Sequence, residues 1–292
     1  MAECSDEKSF MRDKGMRKLK KNLSNIIFAM IFIVGLCIFL YPSVSNYINS
    51  LHQSGAIKDY EEQLSEISEE DYEAMWEAAT AYNERLTSGL VNYNLSEEEY
   101  AEYESYLNPT GTGMMGYLEI ETIGVKLPIY HGDEESVLAI GIGHIPGTSL
   151  PTGTESTHTV LSGHRGLPSS KLLSDLDQMI EGDTFLLHIM DKTFAYEVDQ
   201  INIVLPEETE GLGISDGKDY VTLVTCTPYG VNSHRLLVRG HRVDYNEETR
   251  LIVPADGTRV SMITVALVLA GVILAITFII FMIMTSKLFR KR

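Results

Sequence analysis

The stretch from Thr222 to Gly240 reads TLVTCTPYGVNSHRLLVRG and contains a cysteine, a histidine and an arginine close together. Its two ends, Tyr220–Thr225 and Leu236–Val243, are rich in β-branched and apolar residues. Between them Pro228, Gly230, Asn232 and Ser233 supply turn chemistry, so the stretch reads as strand, loop, strand. If the strands pair as a hairpin, Cys226 closes the first and Arg235 opens the second. A thiol would then sit at a sheet rim beside a permanent cation, the setting of a reactive cysteine and not of an inert packed one. A second stretch, Leu161-Ser162-Gly163-His164-Arg165-Gly166-Leu167-Pro168, follows a strand-like run from His158. His164 lies between glycines just past that run. It could serve as the acid or base partner that a cysteine nucleophile needs. A lone loop histidine is more often a surface residue, so the pairing with Cys226 is what recommends it.

Rivals exist for each role. Arg165 and Arg239 compete with Arg235, but Arg239 lies four residues along the strand, about 13 Å from the rim at 3.3 Å per residue. His234 adjoins Arg235, and strand alternation points it to the other face. His131, in Tyr130-His131-Gly132, also ends a strand, so His131 and His234 are possible groove residues. His188 and His241 fall within strands and read as packing or surface residues. The many glutamates between 57 and 106 read as solvated helix faces, and their spacing supports no metal site.

The elements that must position these residues follow from texture. The chain has 292 residues, with 23 basic and 41 acidic side chains and a formal net charge of −18. No basic stripe is available for phosphates, which argues against a nucleic-acid partner. The basic residues gather at the ends. Residues 1–23 carry seven Lys/Arg against four acids, and 285–292 carry four with no acid. Inside each basic tail lies an apolar run without charge, Ile26–Val44 and Val260–Met284, each long enough to span a bilayer. No small-residue cleavage site follows Tyr41-Pro42, so the first run reads as a retained anchor. The positive-inside rule then expects both termini in the cytoplasm and residues 46–258 outside, a two-pass cell-membrane protein. Of the three cysteines only Cys226 falls in the outer part, where it has no disulfide partner.

Along the outer part, Ile57, Tyr60, Leu64 and Ile67 have helical spacing, as do Tyr72, Met75, Ala79, Tyr82 and Leu86. Ser68–Asp71 marks a break with a new N-cap. Ser96 and Glu99 form a capping box for a short third helix that stops before Asn108-Pro109. From Gly116 the texture changes to eight short β-rich runs: 117–120, 125–130, 138–142, 158–162, 184–189, 194–204, 220–225 and 236–243. In the sixth, Phe194, Tyr196 and Val198 form one buried face, and Asp191-Lys192 is a turn before it. Ser169–Leu176 reads as a short helix. The sequence predicts a mainly β fold, an eight-stranded closed or nearly closed barrel with an N-terminal helical segment, flanked by two transmembrane helices. The expected boundaries are a basic tail 1–25, a span 26–45, a helical or lid segment 46–112, a catalytic barrel 113–246, a linker 247–259, a second span 260–284 and a basic tail 285–292.

TLVTCTPYGVNSHRLLVRG, with the upstream Gly-His-Arg-Gly, resembles the active-site signature of sortases, the cysteine transpeptidases of Gram-positive cell surfaces. The form is most similar to the pilin-polymerising class C branch. The resemblance covers residues 113–243 well and 46–110 weakly. It implies an eight-stranded barrel and catalytic roles for His164, Cys226 and Arg235, with no cofactor and no metal. It implies LPXTG-type surface or pilin proteins as partners, cleaved between Thr and Gly through a thioacyl intermediate. In class C the acceptor is a pilin Lys amine. Class C sortases typically carry an Asp-Pro-aromatic lid over the cysteine. No such triplet occurs in this chain, and Tyr93 in Leu90–Asn94 is the aromatic left at that place, a possible lid. Three alternatives stand beside this reading: anchoring of surface proteins to cell-wall precursor, a hydrolytic cysteine protease, and a membrane-anchored binding module with Cys226 as a core residue. A papain-like protease would start a helix at its cysteine, whereas Cys226 ends a strand and precedes Thr-Pro.

Overall fold

A computed structural model describes residues 3–86, 95–245 and 269–280. The chain divides into two compact units, one from 1–44 with 260–292, the other from 45–259. The boundary falls inside helix α1, Glu3–Leu64, just past Pro42. In the first unit the large apolar side chains of α1, Phe28, Ile31 and Val34 among them, are exposed. Among the described residues this is the one helix long and apolar enough to cross a membrane. The expected second span, 260–284, is described only over Leu269–Ile280, which is an apolar helix. Within this unit the Phe32 ring stacks on Phe278, with centroids 4.0 Å apart.

The second unit begins with the rest of α1. The sequence expects a separate helix at 57–67, but the helix continues unbroken from the apolar run and ends at Leu64. Helix α2, Glu69–Arg85, starts at the predicted N-cap, where the Ser68 hydroxyl accepts from the Asp71 amide. Helix α3, Glu97–Ser105, carries the full capping box of Ser96 and Glu99. These caps satisfy amides that a helix cannot pair internally.

Eight strands form a closed barrel: β1 Met114–Ile120, β2 Val125–His131, β3 Ile142–His144, β4 Thr157–Ser162, β5 Thr184–Ile189, β6 Lys192–Val204, β7 Asp219–Thr227 and β8 His234–Val243. Their order around the barrel is β1-β2-β3-β4-β7-β8-β6-β5, closed by the β1–β5 pair. Two neighbour pairs are parallel, β2–β3 and β4–β7, and the others are antiparallel. Closure leaves no open edge, and inward positions alternate into one core. Leu118, Ile129, Leu161, Leu187, Tyr196 and Leu223 are fully buried there. As expected of β6, Phe194, Tyr196 and Val198 are all buried.

Two expectations need correction. The apolar run 138–142 is not one strand. Its start closes helix α4, Glu135–Leu138, and its end opens β3. An apolar run so short is ambiguous by periodicity, and tertiary crowding decides it. A Cβ on Gly143 would lie 2.1 Å from the Gly132 carbonyl, so only glycine admits this crossing. Likewise Ser169–Leu176 does not form a helix, and only a 3-10 turn follows at Leu176–Gln178. Leu172 takes a left-handed φ of 40°, which interrupts any helix.

Helices α2 and α3 lie against the barrel through specific bonds. The Asn83 amide accepts from the Leu150 amide at 2.8 Å and donates to its carbonyl at 2.9 Å, standing in for a strand partner. Trp76 donates to Asp191 at 2.8 Å and meets the Phe194 ring edge-on. The buried Tyr103 hydroxyl accepts from the Gly132 amide and reaches both the ring and the carbonyl of His144.

Buried titratable groups give the fold an acid response. His144 is fully buried, and burial pulls its pKa from 6.5 to about 4. Burial also lowers His131 and His158. The unfolded histidines take protons that the folded ones refuse, so stability is lost as pH falls below about 6.5. Asp219 acts in the opposite sense. Burial raises it from 3.8 to about 6, although Arg242, Thr157 and Tyr196 favour its charged form. The folded state holds that proton more tightly, so stability is gained as pH falls through 6. From pH 7.5 to 5, His144 alone costs about 2 kcal/mol and Asp219 returns about 1 kcal/mol. Asp219→Asn removes the second effect. Urea unfolding, followed by the single tryptophan, is expected to show about 1 kcal/mol more acid-induced loss in this variant than in the parent. An equal or smaller loss would mean that Asp219 stays ionised across that range.

Candidate active site

The rim at the ends of β4, β7 and the start of β8 gathers the reactive residues. Strand β4 runs parallel to β7 with Ser162 opposite Val224. Parallel neighbours end at the same rim, so His164 and Cys226, each two residues further on, leave the sheet together. The Gly163 amide donates to the Val224 carbonyl at 3.0 Å, and the Thr225 hydroxyl donates to the Gly163 carbonyl at 2.8 Å. These bonds hold the two chain exits side by side. Across the hairpin, Cys226 is the register partner of Arg235. Directly opposed residues on an antiparallel pair project from the same face, with Cβ atoms about 5 Å apart.

The glycines around His164 have separate reasons. A Cβ on Gly163 would lie 2.7 Å from Leu173, so the loop can close here only without one. Gly166 takes a φ of +80°, a conformation glycine adopts at little cost. The loop then folds back, and the Leu173 amide donates to the His164 carbonyl at 3.2 Å. On the ring side, His164 Nε2 lies 3.1 Å from a carboxylate oxygen of Glu135 in α4. Sequence reading missed Glu135, which lies in the acidic run Asp133-Glu134-Glu135 after β2. Its signal was only its place in the connection that returns the chain to β3.

Cys226, His164 and Arg235 line one groove of ≈ 450 Å³. Its walls include Leu138, Ile145, Val204, Leu205, Leu212 and Leu237, and its acids are Asp133 and Glu208. Burial followed by the neighbouring Glu134 raises the Asp133 pKa. Cys226 is half-buried and has no disulfide. Among the described residues Arg235 hydrogen-bonds only the carbonyls of His234 at 3.2 Å and Asn232 at 3.4 Å, and it makes no ion pair there. A second cleft, ≈ 370 Å³ beside Asn83 and Thr154, is lined by no cysteine or histidine.

The rival arginines are committed elsewhere. Arg165 is buried, ion-paired to Asp177 and within 3.3 Å of the Thr227 hydroxyl, to which it donates. Its guanidinium also lies over the Tyr229 ring at 5.9 Å. It thus ties the His164 loop to the residue after Cys226, a bridging role that its sequence neighbourhood did not reveal. Arg239 forms a bidentate pair with Asp199 at 3.0 Å.

Neither possible groove histidine is among the residues that line this groove. The parallel β2–β3 pairing sets His131 level with His144, which opposes Leu161, short of the rim. His131 is buried, with its ring nitrogens on the carbonyls of Gly113 and Tyr106, and it does not line the groove. His234 opposes Thr227, outside the groove lining, with Nδ1 2.9 Å from the Ser233 hydroxyl. Tyr93, the possible lid, lies outside the described residues.

Comparison with known proteins agrees with this geometry. The sortase domain family matches residues 118–243. Sortase C1 from Streptococcus agalactiae is 49% identical, with a TM-score of 0.64, over 65% of this chain and 99% of that one. Sortase C from Streptococcus pneumoniae is 44% identical, with a TM-score of 0.59, over 65% of this chain and 97% of that one. A curated sortase A from Streptococcus agalactiae is 26% identical over 205 residues, 69% of this chain and 77% of that protein. With the barrel, the rim cysteine and these relatives in agreement, the chain belongs to the sortase family of cysteine transpeptidases, and its structural neighbours are class C sortases.

Proposed function

We propose that this protein is a membrane-anchored class C sortase that polymerises pilins, with Cys226, His164 and Arg235 as its catalytic residues. The observation that carries the reading is the register pairing of Cys226 with Arg235 at the rim where the parallel β4 delivers His164. The Streptococcus pneumoniae relative, sortase C, is described in connection with pilin substrate specificity, which favours a pilin substrate here. The apolar groove walls suit the Leu-Pro part of an LPXTG signal.

The Cys226 thiolate attacks the carbonyl between Thr and Gly, and a tetrahedral oxyanion forms. The Arg235 guanidinium, without a carboxylate partner among the described residues, is available to hold that charge. His164 as imidazolium gives its proton to the departing glycine amine, leaving a thioester on Cys226 and a neutral imidazole. Glu135 holds the His164 ring at Nε2. A pilin Lys amine then attacks the thioester and passes its proton to His164, and the Cys226 thiolate leaves. The products are an isopeptide bond and the starting enzyme. The apolar part of α1 holds the barrel near membrane-bound substrates and raises their effective concentration. The basic tails at both ends support two spans with both termini in the cytoplasm and the barrel outside.

Cys226→Ala is expected to abolish both the thioester adduct, read by mass spectrometry, and polymer formation. Polymer made by this variant would exclude the cysteine mechanism, and hydrolysis without transfer to an amine would favour the protease alternative. Arg235→Lys keeps the charge but loses the planar fork, so it is expected to lose roughly as much kcat as Arg235→Ala, about 100-fold or more. Near-parental turnover by Arg235→Lys would reduce Arg235 to a nearby charge. Glu135→Gln is expected to lower kcat roughly 3- to 10-fold with little change in KM. A change confined to KM would place Glu135 in substrate binding instead.

A further inference from the structure

We propose that the stretch of α1 from Asn46 to Gln53 is a positioning element for His164, acting through the side-chain amides of Asn46, Asn49 and Gln53. The inference rests on the reading of His164 as the acid of the reaction and names what holds it in place. The three residues fall at i, i+3 and i+7, one face of a helix whose backbone is already hydrogen-bonded to itself. Their amides are therefore free to reach outward.

Each finds backbone of a segment that has no strand or helix of its own. Asn46 Oδ1 accepts from the Lys171 amide at 2.7 Å. Asn49 Nδ2 donates to the Ser169 carbonyl at 2.8 Å. These two bonds grip the chain on either side of the buried Ser170. The same loop continues to Leu173, whose amide holds the His164 carbonyl, and to Ser174, whose hydroxyl accepts from the Gly166 amide at 3.2 Å. Gln53 Nε2 donates to the Ile140 carbonyl at 3.0 Å. Ile140 lies two residues past α4, which carries Glu135, the partner of His164 Nε2. The backbone of His164 and the carboxylate on its ring are thus both tied to about two turns of one helix.

Attachment of α1 to the barrel does not need these amides. Further along, Ile57 and Tyr60 are buried against Met114, and the Tyr60 hydroxyl donates to the Met115 carbonyl at 2.6 Å. Among the described residues, the amides of Asn46, Asn49 and Gln53 hydrogen-bond only to the two segments that serve His164. A loop carrying a proton donor loses rate steeply when it drifts by an ångström, while the fold loses little.

The chemistry of the two asparagines gives a sharp test. Asn46 is used as an acceptor and Asn49 as a donor, so the same isosteric change has opposite consequences one turn apart. In the full chain held in detergent micelles, Asn46→Asp keeps its acceptor, and turnover within about twofold of the parent is expected. Asn49→Asp sets a carboxylate against the Ser169 carbonyl, and kcat on an LPXTG peptide is expected to fall about tenfold with KM unchanged. A thioester analogue of the peptide expels a thiolate and needs no proton, so both variants are expected to be acylated by it at the parental rate. Should Asn49→Asp fail to fold, Gln53→Met removes the third donor at similar length and is expected to give the same amide-only loss. Parental amide turnover in the donor variant tested, or an equal loss on amide and thioester, overturns the positioning role. His164→Ala serves as the separate control. If it retains amide turnover, the acid role of His164 fails, independently of what the helix does.

Discussion

The parallel pairing of β4 with β7 is the constraint on which the site depends. An antiparallel neighbour would have carried the chain after Ser162 to the opposite rim from Cys226. Parallel pairing instead sends both exits the same way, and the short β7–β8 hairpin adds Arg235 by register alone. His164, Cys226 and Arg235 are thereby placed by backbone hydrogen bonds, not by side-chain contacts among themselves. The side chains need only cross the few ångströms that strand geometry leaves. The cost of the arrangement is a long β4–β5 connection, which must be held from outside. Arg165, Ser174 and the Asn46–Gln53 face of α1 each take part of that work.

The same division separates what the sequence showed from what it hid. The hairpin around Cys226 was legible because its signals are local: β-branched runs, a Pro-Tyr-Gly turn, and a cysteine and an arginine at the matching ends. The barrel was legible from the number of short β-rich runs, and both helix caps were legible from Ser68 and from Ser96 with Glu99. Residues whose meaning comes from distant partners were not legible. Glu135 looked like one acid in a run, and only the α4 crossing brings it to His164. His131 ended a strand just as His164 did. Periodicity cannot say that β2 pairs in parallel with β3, so it could not place His131 below the rim and under α3. The run 138–142 failed for a related reason, since the crowding at Gly143 comes from Gly132, eleven residues away.

Charge is disposed to the same end. Arg165 and Arg239, the other arginines considered for the rim chemistry, are matched with Asp177 and Asp199, and Arg242 approaches Asp219 at 4.0 Å. Among the described residues Arg235 is left to carbonyls at 3.2 and 3.4 Å, which are weak partners. A guanidinium locked in a bidentate pair would have to break it during each turnover. One that waits on weak acceptors needs less reorganisation as charge develops.

The strand order also governs when the nucleophile can come into being. Strands β4 and β6 are made well before their partners β7 and β8, which are the last two of the barrel. A chain emerging from its N-terminus therefore has two open sheet edges and an unclosed core until about residue 243 is available. Until β8 is made, Cys226 has no Arg235 opposite it. Completion of the barrel and assembly of the rim are one event, so a half-made molecule carries a thiol without its partners. The topology that delays closure of the barrel thus also delays assembly of the rim around Cys226.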